Sequence, residues 1–171
     1  MAFRLIDDAS GGRNCEDAGD DTYWVGGCYG NTTDVHMYSP PDWRDSDTRN
    51  TTGADPNKAL VLGEFGGILL TPRGHAWDED LCHGYATTTT TQGLADLYAT
   101  YSASLRVLAN ETNLAASVYT EITDVETECN GLLTYDRIYK ASPESIYKEN
   151  TKTIRDASGI IGSRLVKSVN S

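Results

Sequence analysis

The stretch Lys58-Ala-Leu-Val-Leu-Gly-Glu-Phe-Gly-Gly-Ile68 restricts the fold of this chain more than any other. A continuous apolar run, Ala59–Leu62, ends in a carboxylate and two glycines. Such a run predicts a strand buried on both faces, as in a parallel sheet covered by helices. A carboxylate at the carboxyl end of a parallel strand occupies the rim where α/β enzymes place reactive groups. Gly66-Gly67 permits a sharp turn and leaves room above Glu64 for a ligand. A solvated glutamate at a strand-to-loop turn would have the same local sequence, so the rest of the chain must decide.

Three further segments read as strands: Phe3–Ile6, Thr33–Tyr38 and Ala115–Ile122. From Gln92 to Ala109, Leu94, Leu97, Tyr98, Tyr101, Leu105 and Leu108 recur at three- and four-residue spacing and predict one amphipathic helix. The threonines at 87–91 offer amino-terminal capping hydroxyls, and Asn110 a stop. Strand, helix and strand from Ala59 to Ile122 make a βαβ unit. A weaker helical pattern covers Pro143–Asp156, followed by a Gly- and Ser-punctuated tail expected to fray. Residues 9–32 and 39–57 read as long loops carrying Trp24, Tyr29 and Trp43.

The 171 residues carry 25 acidic and 14 basic side chains, a formal net charge of −11. That balance argues against nucleic acid or an anionic membrane surface as partner, and no apolar run reaches the ~20 residues of a membrane span. Four cysteines without a C-x-x-C pair disfavour structural zinc and allow two disulfides, with Cys15–Cys28 the natural local pair. His75 and His83 lack a spaced carboxylate pattern, so no metal or other cofactor is expected. Sequons at Asn31, Asn50 and Asn110 and the even cysteine count favour an extracellular setting, although the first residues do not read as a signal peptide.

Three strand ends bring polar groups to one rim: His36 and Tyr38, Glu64, and Glu121 with Asp124. His36 and Tyr38 are two apart and face the same side of their strand. A Tyr38 hydroxyl donated to Glu64 would hold the carboxylate in one rotamer and favour its ionised form, as a carboxylate nucleophile requires. Trp77 and Tyr119 offer aromatic faces to a sugar ring. The competing reading makes His36 a core histidine, and Asp124 and Glu126 turn or capping residues.

The stretch Val118-Tyr-Thr-Glu-Ile-Thr-Asp-Val-Glu-Thr-Glu-Cys-Asn-Gly-Leu-Leu-Thr-Tyr-Asp-Arg137 resembles the final barrel strand and following loop of family 2 glycoside hydrolases, the β-galactosidase/β-glucuronidase-like group. Leu60-Val-Leu-Gly-Glu-Phe-Gly-Gly67 resembles the seventh strand, Asp34-Val-His-Met-Tyr-Ser-Pro40 the sixth and Arg4–Gly12 the fifth. The resemblance covers roughly residues 3–140. It implies an α/β fold: a partial (β/α)8 TIM barrel equivalent to strands five to eight over residues 1–140, with a terminal helix and tail over 141–171. It also implies a retaining hydrolase of β-linked sugars, with Glu64 as nucleophile, Tyr38 orienting it, and His36, Trp77, Tyr119, Glu121 and Asp124 near the carbohydrate. Retaining enzymes need a second carboxyl roughly 5–5.5 Å away. In this family it follows an asparagine at the end of the fourth strand, which the match does not include. A whole barrel takes ~250 residues, so the chain is expected to be a fragment, or one half of a split barrel completed in cis or trans. The alternative is a catalytically silent carbohydrate-binding or interaction module.

Overall fold

The structure, a computed structural model, describes residues 6, 25–26, 30–38, 57–112 and 114–169, excepting the side chains of 25–26, 158 and 160–169. Its strands are β1 (Val25–Gly26), β2 (Thr32–Met37), β3 (Ala59–Gly66), β4 (Ile68–Leu69), β5 (Ala86–Thr87) and β6 (Leu114–Thr120). Its helices are α1 (Thr91–Glu111) and α2 (Pro143–Val169). The larger sheet has the order β1-β2-β3-β6, with β2, β3 and β6 parallel and β1 antiparallel at the edge. β4 and β5 form a separate parallel pair.

The half barrel expected from the sequence is not the fold of this chain. Among the described residues there are three parallel strands in one sheet, two helices and a small second sheet, which is a small α/β unit. A barrel half needs a helix after each strand, whereas among the described residues α1 alone crosses between parallel strands. The first expected strand and the Cys15–Cys28 pair lie outside the described residues apart from Ile6. That residue exchanges hydrogen bonds with Asn31 at the start of β2.

The expected βαβ unit is present as β3, α1 and β6. α1 begins at Thr90, whose hydroxyl accepts from Gly93 N at 2.9 Å and so satisfies one amide that the first turn leaves unpaired. It ends at Thr112 rather than Asn110. The Thr112 amide and hydroxyl both donate to Leu108 O, at 2.8 and 2.7 Å. Leu94, Tyr98, Tyr101 and Leu105 pack on Leu62, Phe65, Ile68 and Leu70 as one core. Each such side chain contributes roughly 1.5–3 kcal/mol by burial.

α2 runs beyond the expected Asp156 to Val169, through the segment expected to fray. Pro143 suits the first helical position, where no amide is needed, and Glu144 faces the positive helix end. The helix is held to α1 by polar contacts. Arg106 donates to Glu149 at 3.1 Å and Thr153 at 3.2 Å, and Tyr98 to Asn150 at 2.7 Å. A disulfide joins Cys82 to Cys129 across 47 residues of chain. Closing a loop of that length removes about 4 kcal/mol of unfolded-state entropy.

Candidate active site

β3 does not end at Leu62; it continues through Glu64 with a bulge. Val35 pairs with Leu62 and His36 with Glu64, so Gly63 is the extra residue. Strand alternation alone would turn Glu64 to the same face as Leu60 and Leu62, into the core. With Gly63 inserted, the core residues are Leu60, Leu62 and Phe65, and Glu64 turns to the other face. Gly63 is required there. A Cβ would lie 2.1 Å from Asp34 Oδ1, the atom that accepts from Gly63 N at 2.7 Å.

The bulge assembles a cluster on β2 and β3. The Tyr38 hydroxyl donates to Glu64 Oε2. His36 Nδ1 lies 3.2 Å from the Tyr38 hydroxyl and 3.5 Å from Glu64 Oε2, and its Nε2 lies 3.8 Å from Asp34 Oδ2. Tyr101 donates to Tyr38 O at 2.8 Å and ties the end of β2 to α1. The Tyr38 ring stacks on Tyr85, with centroids 3.6 Å apart and planes at 6°. Burial, then the bonds to Glu64 and Tyr85, push the Tyr38 phenol well above its usual range, so it remains a donor to the carboxylate. The Glu64 side chain is 37% exposed and reachable from solvent.

The glycines after Glu64 have φ of 94° and 65°, which a residue with a side chain rarely adopts. Sequence reasoning gave their space to a ligand. In the structure a Cβ on Gly66 would meet the Tyr119 ring at 2.3 Å, and one on Gly67 the Tyr85 ring at 2.4 Å. The glycines let two tyrosines lie flat on the backbone. Tyr119 packs on Phe65 and Tyr98, and its hydroxyl accepts from Ile68 N at 3.3 Å.

The remaining residues expected at the site fall into two groups. Trp77 is 62% exposed and packs on Tyr135, with His75 Nδ1 2.9 Å from Asp136 Oδ2 in the same loop pair. The bond from the Thr134 hydroxyl, then that from His75, hold the Asp136 carboxyl below its ordinary range. Asp124 is buried and accepts from Lys140 Nζ at 2.6 Å and Gly131 N at 2.8 Å, while Lys140 also donates to Cys129 O at 2.9 Å.

Glu121, just past β6, is partly buried, and its Oε1 has no hydrogen-bond partner among the described residues. Burial, then the charges of Glu128 and Asp124, push its carboxyl up to about 7, against the pull of Lys140 and the Val125 amide. Below pH 4.5 both folded and unfolded chains hold this proton, so the group leaves stability unchanged. Between 4.5 and 7 only the folded chain holds it, and stability falls as pH rises. Discounted for partial exposure, the loss is about 1–2 kcal/mol. Glu121→Gln is therefore expected to match the parent in thermal melts at pH 4 and to exceed it at pH 8. Equal melting at pH 8 would rule the effect out.

The chain has one Asn-Glu pair, Asn110-Glu111. It is exposed in the last turn of α1, just before Leu114 pairs with Leu60 at the amino end of β3. The pair therefore sits on the opposite rim from Glu64.

Tyr85, Asp34 and Lys140 were missed as cluster residues by sequence reasoning. Asp34 had a readable signal, because Asp34, His36 and Tyr38 share one face at two-residue spacing. Tyr85 and Lys140 had none, since the chain brings them in from distant loops.

The fold and cluster define a small parallel α/β unit with a tyrosine-held carboxylate at the carboxyl end of its central strand. No protein-family model matches the chain, and no curated protein matches it either.

Proposed function

We propose that the chain is a glycoside hydrolase-type protein of the retaining class, acting on β-linked sugars through Glu64. The observation that carries this reading is the Tyr38 hydroxyl donated to Glu64 Oε2 across β2 and β3. A carboxylate held in one rotamer, solvent-reachable and backed by a histidine, suits attack on an anomeric carbon. A Glu64 oxygen would bond to that carbon as its bond to the leaving oxygen breaks, and the electron pair would depart with the leaving group. Water would then open the glycosyl ester and release Glu64. Exposed Trp77 and Tyr135 would offer faces to the sugar. The resemblance to family 2 glycoside hydrolases along residues 3–140 supports the same reading.

The general acid is the role that the cluster does not fill. Glu111 is on the opposite rim, and Glu121 belongs electrostatically to the 124–140 loop. The test therefore uses a leaving group that needs no proton. A 2,4-dinitrophenyl β-glycoside panel is expected to give a burst of about one equivalent of dinitrophenolate. A 2-deoxy-2-fluoro analogue is expected to leave its sugar on the peptide containing Glu64. Simple alkyl glycosides are expected to remain intact. No burst and no labelled peptide with any sugar in the panel would refute the reading in favour of a catalytically silent module.

A further inference from the structure

Tyr85 is 55% exposed, yet the chain fixes its position from both sides. Before it, the Cys82–Cys129 disulfide holds the loop. His83 N donates to Thr127 O at 2.9 Å, and His83 O accepts from Cys129 N at 3.0 Å. Gly84 lies flush on the backbone, where a Cβ would come 2.8 Å from Leu69 Cβ and 3.2 Å from Gly67 O. Tyr85 N donates to Gly67 O at 2.9 Å, and from Ala86 onward the chain pairs with β4. Gly67, at φ 65°, leaves the space that the Tyr85 ring occupies. Burial does not account for this anchoring, because the ring stays largely in water. What the anchoring delivers is a contact with Tyr38: the two rings stack with centroids 3.6 Å apart and planes at 6°.

We propose that Tyr85 is a positioning residue that acts on Glu64 through Tyr38, its ring pinning the Tyr38 ring so that the phenol hydrogen stays on Glu64 Oε2. The Tyr38 backbone is already tied to α1, since Tyr101 donates to Tyr38 O at 2.8 Å. That bond leaves the two side-chain torsions of Tyr38 to be set by packing. A parallel ring at stacking distance restrains both, because turning the Tyr38 ring out of its plane drives it into Tyr85. The phenol therefore keeps one direction of approach to Glu64, and a carboxylate is held only as well as its donor is held. The Tyr85 ring also covers one side of Tyr38 from water, which competes for the phenol and the carboxylate alike. This role toward Glu64 rests on the reading of Glu64 as a nucleophile; the pinning of Tyr38 does not.

The test compares Tyr85→Ala with Tyr85→Phe, which keeps the ring and removes the hydroxyl that also bonds to Tyr38. Nuclear Overhauser contacts between the Tyr38 and Tyr85 ring hydrogens are expected in the parent. Their absence would overturn the proposal, and because that measurement needs only the parent, misfolding of a variant cannot hide it. The Tyr38 hydroxyl hydrogen, identified by its loss in Tyr38→Phe, is expected to exchange with water faster in Tyr85→Ala and at the parent rate in Tyr85→Phe. At saturating 2-fluoro sugar, labelling of Glu64 is expected to slow about 10–100-fold in Tyr85→Ala, the effect of slightly misplacing a reacting group, and to recover in Tyr85→Phe. The sugar concentration at half the maximal rate is expected to stay that of the parent, because Tyr85 holds the carboxylate and not the sugar. An unchanged saturating rate in Tyr85→Ala would overturn the proposal, as would a Tyr85→Phe protein as slow as Tyr85→Ala. A change confined to the half-saturating concentration would overturn it in favour of direct contact with the sugar. Absence of label from all of these proteins would refute the glycosidase reading instead, while hydroxyl exchange still decides whether Tyr85 pins Tyr38.

Discussion

Glu64→Gln is expected to abolish the dinitrophenolate burst and all sugar labelling, a loss on the order of 10^4-fold or more in rate, as when a nucleophile is removed from an assembled site. The amide is nearly the same size as the carboxylate and can still accept from Tyr38. It cannot form a glycosyl ester that turns over. The fold should tolerate the change, because Glu64 points away from the core that Leu62 and Phe65 enter. Circular dichroism and melting temperature should therefore match the parent while the burst disappears. A Glu64→Gln protein that kept its burst would remove Glu64 from the chemistry.

The largest expected stability effect comes from the ion pair between Lys140 and Asp124, whose side chains are 0% and 2% exposed. Burial pushes the Asp124 carboxyl up and the Lys140 ammonium down, in each case against the pull of the pair. The cost of taking both charges out of water thus outweighs their attraction. Breaking such a pair from one side strands the other charge. Lys140→Met is expected to cost about 3–5 kcal/mol, because Asp124 would keep only the Gly131 amide and Cys129 O would lose a donor. Replacing both residues, Asp124→Asn with Lys140→Met, should recover most of that loss. Urea denaturation of the two proteins checks both statements. A Lys140→Met protein as stable as the parent would show that the pair contributes nothing to the loop it ties.

The pair also bears on the reading of Asp124 from sequence, which set it near the sugar. Its oxygen is engaged by Lys140, sixteen residues away, and nothing in Thr123-Asp-Val-Glu announces that partner. Glu121 is similar. Its place past the end of β6 follows from strand length, but its partial burial among Glu128, Asp124 and Lys140 follows from how the loop folds back.

The strand, helix and strand from Ala59 to Thr120 were legible because their periodicities are local. The apolar stripe of α1 and the two-residue alternation of β2 are set by backbone geometry, so α1, the shared face of His36 and Tyr38, and the rim position of Glu64 could be read directly. The Tyr38–Glu64 hydrogen bond followed once β2 and β3 were taken as neighbours. The partial barrel did not survive, because strand patterns do not state how many parallel crossovers a chain completes. Nor could local sequence show that β3 bulges at Gly63. That bulge depends on Asp34, 29 residues earlier, accepting the Gly63 amide. By itself the sequence determined which side chains can share a face of a strand or helix. Only the tertiary structure decided which faces meet, that Glu64 turns outward, and that Tyr85 stacks on Tyr38, because those outcomes depend on contacts between segments far apart in the chain.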